Sequence, residues 1–163
     1  MRIADILRGK GSAVATVTAS TTVTGLLAEL AVHNIGAMVV IGPSSGQERS
    51  DSGIGPGTDG ADGAGVIGIV SERDVVRHLQ ATGPDLLRRT VSDIMSEVAV
   101  TCRPDDPVDV LAALMTNNRV RHVPVLDDGR LVGIVSIGDV VKIRMEELQA
   151  ERQQLQAYIT QGG

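Results

Sequence analysis

Ser71 and Asp74 stand three residues apart, and the pair returns as Ser136 and Asp139. Each closes a β-branched run. Val66-Ile67-Gly68-Ile69-Val70-Ser71-Glu72-Arg73-Asp74-Val75-Val76 recurs, at a constant interval of 65 residues, as Leu131-Val132-Gly133-Ile134-Val135-Ser136-Ile137-Gly138-Asp139-Val140-Val141. A hydroxyl, the free N–H groups of a helix start and a carboxylate are thereby gathered at one strand-to-helix turn. The N–H groups favour an anion. The carboxylate suits vicinal hydroxyls, since it can accept two hydrogen bonds at once. Phosphate plus sugar diol suggests a nucleotide. The same residues also read as ordinary helix N-caps, worth about 0.5–2 kcal/mol and needing no ligand. Duplication of the whole unit shows a structural repeat and leaves both readings standing.

The elements that must position these pairs follow from periodicity. Ile3 to Leu7 reads as a short helical segment broken by Gly9-Lys10-Gly11. Ala13 to Val17 alternates as a strand, and Ser20-Thr21-Thr22 offers N-cap chemistry to a helix over Val23–His33. Its apolar Val23, Leu26, Leu27, Leu30 and Ala31 form one stripe. Ile35–Ile41 and Val66–Val70 are strands, and Asp74 to Gln80 is a helix. Between them, about 43–65, the Gly-, Ser- and Asp-rich composition cannot bury enough apolar surface to fold alone, which predicts a flexible insertion. It carries no Gly-Lys-Ser/Thr phosphate loop.

The second copy begins at Val91-Ser92-Asp93-Ile94-Met95, mirroring Ile3 to Leu7. Ala99-Val100-Thr101 predicts a strand, Pro104-Asp105-Asp106-Pro107 a turn and cap, and Val108, Leu111, Ala112 and Met115 a helix face. Arg121–Leu126 and Leu131–Val135 are strands joined by a tight Asp127-Asp128-Gly129-Arg130 hairpin. From Asp139 a helix runs to about Thr160. Its Val141, Met145, Leu148, Leu155 and Ile159 form a heptad-like stripe that needs a partner surface, on the body or on a second subunit. Each half reads strand–helix–strand–strand–helix, an α+β unit with too little core alone, so the two must pack on each other.

Composition narrows the function classes. The 163 residues carry a net charge of −5 with no stripe of basic residues, which argues against general nucleic-acid binding. Tyr158 is the one aromatic residue, so a bound base must lie between aliphatic side chains. No apolar run is long enough for a membrane span, and no signal peptide is visible at Met1-Arg2-Ile3-Ala4-Asp5. Cys102 is alone, which fits a reducing cytoplasm and a small buried hydrophobe. Arg outnumbers Lys, with only Lys10 and Lys142, which hints at a high-GC genome.

Val132-Gly133-Ile134-Val135-Ser136-x-x-Asp139-Val140-Val141 after a hairpin, preceded by Arg121-His122-Val123-Pro124-Val125, resembles the cystathionine-β-synthase (CBS) domain. Two copies resemble the stand-alone CBS-pair proteins of bacteria and archaea, with a bacterial source expected here. The resemblance implies tandem βαββα domains over 3–80 and 91–145, packed with pseudo-two-fold symmetry, and a C-terminal helical tail over 146–163. It further implies two clefts between the copies, and pairing of chains into a flat homodimeric disc. Regulatory adenosine ligands are implied: AMP, ADP or ATP, with S-adenosylmethionine and NAD as the rarer members. The family's ribose-binding carboxylate falls on Asp74 and Asp139, its hydroxyl on Ser71 and Ser136. The adenine-holding strand falls on Thr16, Val17 and Thr18 and on Val100, Thr101 and Cys102, and the phosphate-directed pair on Arg121 and His122.

The copies differ. Where the second has Arg121-His122-Val123-Pro124, the first has Gly36-Ala37-Met38-Val39; the first alone has Arg73 between Ser and Asp. One cleft is then stronger than the other, with Arg121, His122 or Arg73 on phosphate. No catalytic elbow, nucleophile–base pair or metal-spaced cluster is present in the sequence. The expectation is a nucleotide-sensing regulator, not an enzyme, with no required cofactor or metal, acting in the cytoplasm through an unidentified effector protein. Two readings compete with it: a ligand-free interaction protein, and an enzyme using Ser71 or Ser136 to handle phosphate.

Overall fold

The computed structural model describes residues 1–11, 13–43 and 64–161. Nearly all of the insertion expected at about 43–65 lies outside the described residues.

Thr22 Oγ1 accepts the Gly25 N–H at 3.1 Å and opens α2 (Val23–His33), which buries Val23, Leu26 and Leu30. Asn34 then takes a left-handed φ of 51°, a conformation Asn tolerates, and the chain turns toward β2 (Ala37–Pro43). β2 lies between β1 (Thr16–Thr18), parallel, and β3 (Ala64–Ser71), antiparallel. Ser71 passes directly into α3 (Glu72–Thr82). The first half therefore has the order its sequence predicts.

The second half repeats it with α4 (Val108–Asn118), β4 (His122–Asp127), β5 (Arg130–Ser136) and α5 (Ile137–Gln161). The β4–β5 hairpin turns on Asp128 and Gly129, both at positive φ, as a two-residue turn requires. The strand expected at Ala99–Thr101 is absent. Only Cys102 joins the sheet, donating its N–H to the Pro124 carbonyl at 3.1 Å and accepting the Leu126 N–H at 2.8 Å. The cause is local: the Asp106 carboxylate caps the Arg103 N–H at 2.8 Å, so the chain is already turning one residue later.

The chain opens with α1 (Ile3–Lys10). The break expected at Gly9-Lys10-Gly11 falls at Gly11 alone, where φ is 91°, because an interior glycine costs only about 1 kcal/mol.

Two cores form, and the segment leading into each half packs in the other. Ile3 and Ile6 of α1 lie in the second core with Cys102, Leu111, Val123 and Val135. Leu86, Val91 and Ile94 lie in the first core with Leu26, Met38 and Val70. At roughly 1.5–3 kcal/mol for each fully buried aliphatic side chain, these few residues hold the halves together. Backbone bonds reinforce the crossing: Ile3 N–H to Asp106 O (3.0 Å), Val91 N–H to Thr21 O (2.8 Å), and a mutual pair between Ile69 and Ser96 (2.9 Å each). The mirror of α1 is not a full helix but two 3₁₀ segments, Gly83–Arg88 and Val91–Asp93.

Candidate functional site

The Ser–Asp turns are built alike. In the first, the Ser71 N–H and hydroxyl both donate to Asp74 Oδ2 at 2.8 Å. In the second, the Ser136 N–H and hydroxyl donate to Asp139 Oδ2 at 2.8 Å, and the Asp139 N–H donates back to Ser136 Oγ at 3.2 Å. The helix-cap reading is therefore true of one carboxylate oxygen in each copy. Not all the N–H groups at these turns are free: Glu72 donates to the Gly36 carbonyl (3.0 Å) and Ile137 to that of Arg121 (2.8 Å), extending the hairpin ladders.

Asp74 is only 8% exposed, the one buried charged residue among those described. No described group hydrogen-bonds its Oδ1, yet no described side-chain oxygen is both fully buried and unpartnered. Oδ1 is thus open to solvent. The opening is a cleft between the halves of about 340 Å³, here cleft 1. It is lined by Ser71, Arg73 and Asp74 from the first half and by residues 96–100 and 119–122 from the second, Arg121 and His122 among them.

Cleft 2, about 560 Å³, reverses the contributions: Ile134 and Ser136 of the second half face Ala13, Val14, Ala15 and residues 33–37 of the first. Gly36 and His122 border both clefts. The charge is distributed unevenly. Arg73, Arg119 and Arg121 all line cleft 1 and none makes an ion pair among the described residues. In cleft 2 the cation is Lys10, whose Nζ lies 2.7 Å from Asp139 Oδ2 and 3.3 Å from the Ile134 carbonyl.

Burial pushes the Asp139 carboxyl upward, but the Lys10 ammonium and the Ser136 N–H and hydroxyl outweigh it and hold the group below the usual carboxylate value. His122 is held below the ordinary histidine value, first by burial and then by Lys10; Asp139 and Glu72 oppose the shift. Its imidazole is the neutral form at neutral pH, able both to donate and to accept.

The structure brings together Ser71, Arg73, Asp74, Val100, Arg121 and His122, and sets Ser136 in the other cleft with Asp139 bonded to it. Arg121 and His122 therefore share a cleft with Asp74. Several expected contacts line neither cleft. Val17 alternates inward and is core, while Thr18 Oγ1 pairs with Ser20 and Thr21 in the turn before α2; Thr16 is held with them in β1. The segments that do line the clefts are Ala13–Ala15, just before the expected Thr16–Thr18, and Val98–Val100, which meets the expected segment at Val100. Thr101 is exposed outside them, and Cys102 is buried in the second core. Burial, with a smaller contribution from Asp106, pushes the Cys102 thiol up to about 12, so it is protonated and inert. Lys10, Glu72, Glu97 and Arg119 are cleft residues the sequence reading missed. Alignment of the halves could have suggested the last of these, since Arg119 and Asn34 both end a helix in the left-handed conformation.

Among the described residues no group of His, Cys, Asp and Glu could hold a metal ion, and no helix is long and apolar enough to cross a membrane.

Comparison with known proteins agrees with this architecture. The CBS domain family matches residues 91–146. The chain is 35% identical to the mitochondrial CBS domain-containing protein CBSX3 of Arabidopsis thaliana, over 99% of this chain and 72% of that one. The crystal structure of the CBS-domain containing protein ATU1752 from Agrobacterium tumefaciens superposes with a TM-score of 0.72 and 37% identity, covering 88% of this chain and 99% of that one. The Pyrobaculum aerophilum CBS domain protein PAE2072, solved in complex with AMP, shares the fold at a TM-score of 0.65 and 24% identity, over 85% of this chain and 89% of that one.

Proposed function

This chain belongs to the CBS domain-containing proteins, and from that premise we propose that it is a regulatory module binding an adenosine nucleotide of the AMP, ADP or ATP class in cleft 1. The observation that carries this reading is one carboxylate oxygen, Asp74 Oδ1, left without a described partner in a cleft that also holds three guanidinium groups free of described ion pairs. A ribose diol matches the former and phosphate the latter. The aliphatic Ile69, Val98, Val100 and Val120 supply apolar walls for a base. Glu72, Asp74 and Glu97 line the same cleft as Arg73, Arg119 and Arg121, so the preference for AMP, ADP or ATP over S-adenosylmethionine or NAD rests on the guanidinium groups finding phosphate. AMP in one remote structural neighbour and S-adenosylmethionine with methylthioadenosine in another support an adenosine ligand in general.

The module works without catalysis. Ser71 and Ser136 donate their hydroxyls to Asp74 and Asp139, carboxylates that also accept the Ser N–H as helix caps, and no described histidine hydrogen-bonds either hydroxyl to activate it. Its output is a change in pairing with a second copy or with an effector protein in the cytoplasm, since a ligand shifts only equilibria between states it binds unequally.

The test is thermal unfolding and calorimetry with AMP, ADP, ATP and S-adenosylmethionine. A ligand at a hundred times its Kd stabilises by about 2.7 kcal/mol. Replacing Asp74 and Asp139 together by Ala removes that shift. Equal shifts in wild type and double variant, or none in either, refute the reading.

A further inference from the structure

The two clefts are related by the internal repeat, yet their carboxylates are in different states. Asp74 carries only the two Ser71 bonds on Oδ2, and no cation touches it among the described residues. Asp139 Oδ2 carries the equivalent two bonds and, in addition, the Lys10 ammonium at 2.7 Å. The ammonium neutralises that carboxylate, and Asp139, unlike Asp74 in cleft 1, is not among the residues that line cleft 2, where Lys10 stands instead. The Lys10 ammonium also bonds the Ile134 carbonyl at 3.3 Å, so it is fixed at the wall of cleft 2 beside Ser136.

Lys10 reaches this position because of the crossing described above. It is the last residue of α1, whose Ile3 and Ile6 are anchored in the second core, so the helix delivers its C-terminal cation to the mouth of cleft 2. The segment that leads into cleft 1 offers Ser96, Glu97 and Val98 instead, and no cation. Both ion-pair partners are partly shielded, with 41% and 22% of their side chains exposed.

We propose that Lys10 is an internal latch: it neutralises Asp139 and stands between that carboxylate and cleft 2, which keeps a ribose diol from it, so that each chain binds one nucleotide, in cleft 1. This rests on the nucleotide reading of the preceding subsection and adds its stoichiometry and its control. A change that removes the Lys10 charge would open the second site.

Isothermal titration of the full chain with AMP, and separately with ATP, tests it. The expected result is one nucleotide per wild-type chain, lost in Asp74→Asn. Lys10→Met, a change at an exposed side chain with unfolding checked in parallel, raises the stoichiometry to two, and Lys10→Met with Asp139→Asn returns it to one. Two nucleotides per wild-type chain, one in Lys10→Met, would make Lys10 a ligand contact and overturn the latch. Binding to wild type with stoichiometry unmoved in Lys10→Met overturns the latch alone. No heat with either nucleotide in any of these proteins overturns the latch and the nucleotide reading together.

Discussion

At the scale of single residues, His122 borders both clefts and is the group best placed to report on them. Lys10 and Asp139 approach it from the side of cleft 2, Glu72 and Arg121 from that of cleft 1. With its folded pKa depressed, the unfolded chain binds more protons. The stability it contributes is therefore full above the ordinary histidine value and lost as pH falls through the folded one. A phosphate in cleft 1 favours the imidazolium, so AMP binding raises the His122 pKa and AMP affinity increases as the pH falls toward it. An NMR titration of the imidazole carbons with and without AMP checks this; a pKa that stays put or drops on binding contradicts it. Asp139 has the same sign of linkage for a different reason: its charged form is bonded in the folded state, and the stability this gives is present above the ordinary carboxylate value and lost as pH falls through the depressed one.

At the scale of elements, two glycines at equivalent places in β3 and β5 meet different neighbours. A Cβ on Gly68 would lie 3.0 Å from the Ser96 carbonyl oxygen and 3.0 Å from Met95 Sδ, where the backbone of the crossing segment is fixed by the Ile69–Ser96 bonds. A Cβ on Gly133 would meet the Leu7 side chain at 2.5 Å, which can rotate away. Gly68→Ala is expected to destabilise by about 1–3 kcal/mol and Gly133→Ala by less than about 1 kcal/mol, read from denaturant midpoints. Reversal of that order would mean that the carbonyl gives way more easily than the leucine. Such neighbours also mark what the sequence could tell. The repeat, the Ser–Asp turns and α2, β3, β5 and α5 were legible because periodicity and capping are local. The partner of each turn was not, because the crossing of α1 and residues 83–96 is decided by which core their few apolar side chains complete. Thr16–Thr18 line neither cleft for a related reason: strand alternation says which side chains point inward, but not how far along the chain the cleft begins. Lys10 gave no signal at all, since a basic residue at a helix end is ordinary.

At the scale of the whole molecule, α5 leaves Val141, Met145, Leu148, Leu155 and Ile159 exposed, and Val76, the α3 counterpart of Val141, is 67% exposed. On that stripe of the 25-residue helix we place the subunit pairing proposed above as the output. Leu148→Glu together with Met145→Glu is expected to convert a dimer into a monomer in sedimentation equilibrium while leaving the circular dichroism spectrum in place. A monomeric wild type would leave the output to an effector protein alone. The crossed lead-ins have a bearing on biosynthesis as well. Residues 3–10 leave the ribosome long before β5, the strand against which α1 lies, and at about 5–20 residues per second their docking site is missing for several seconds. Through that interval Ile3 and Ile6 have no shelter, so a nascent chain arrested between the halves would display them to chaperones, and the first half released by itself would carry an orphan helix while lacking residues 86–94 of its own core.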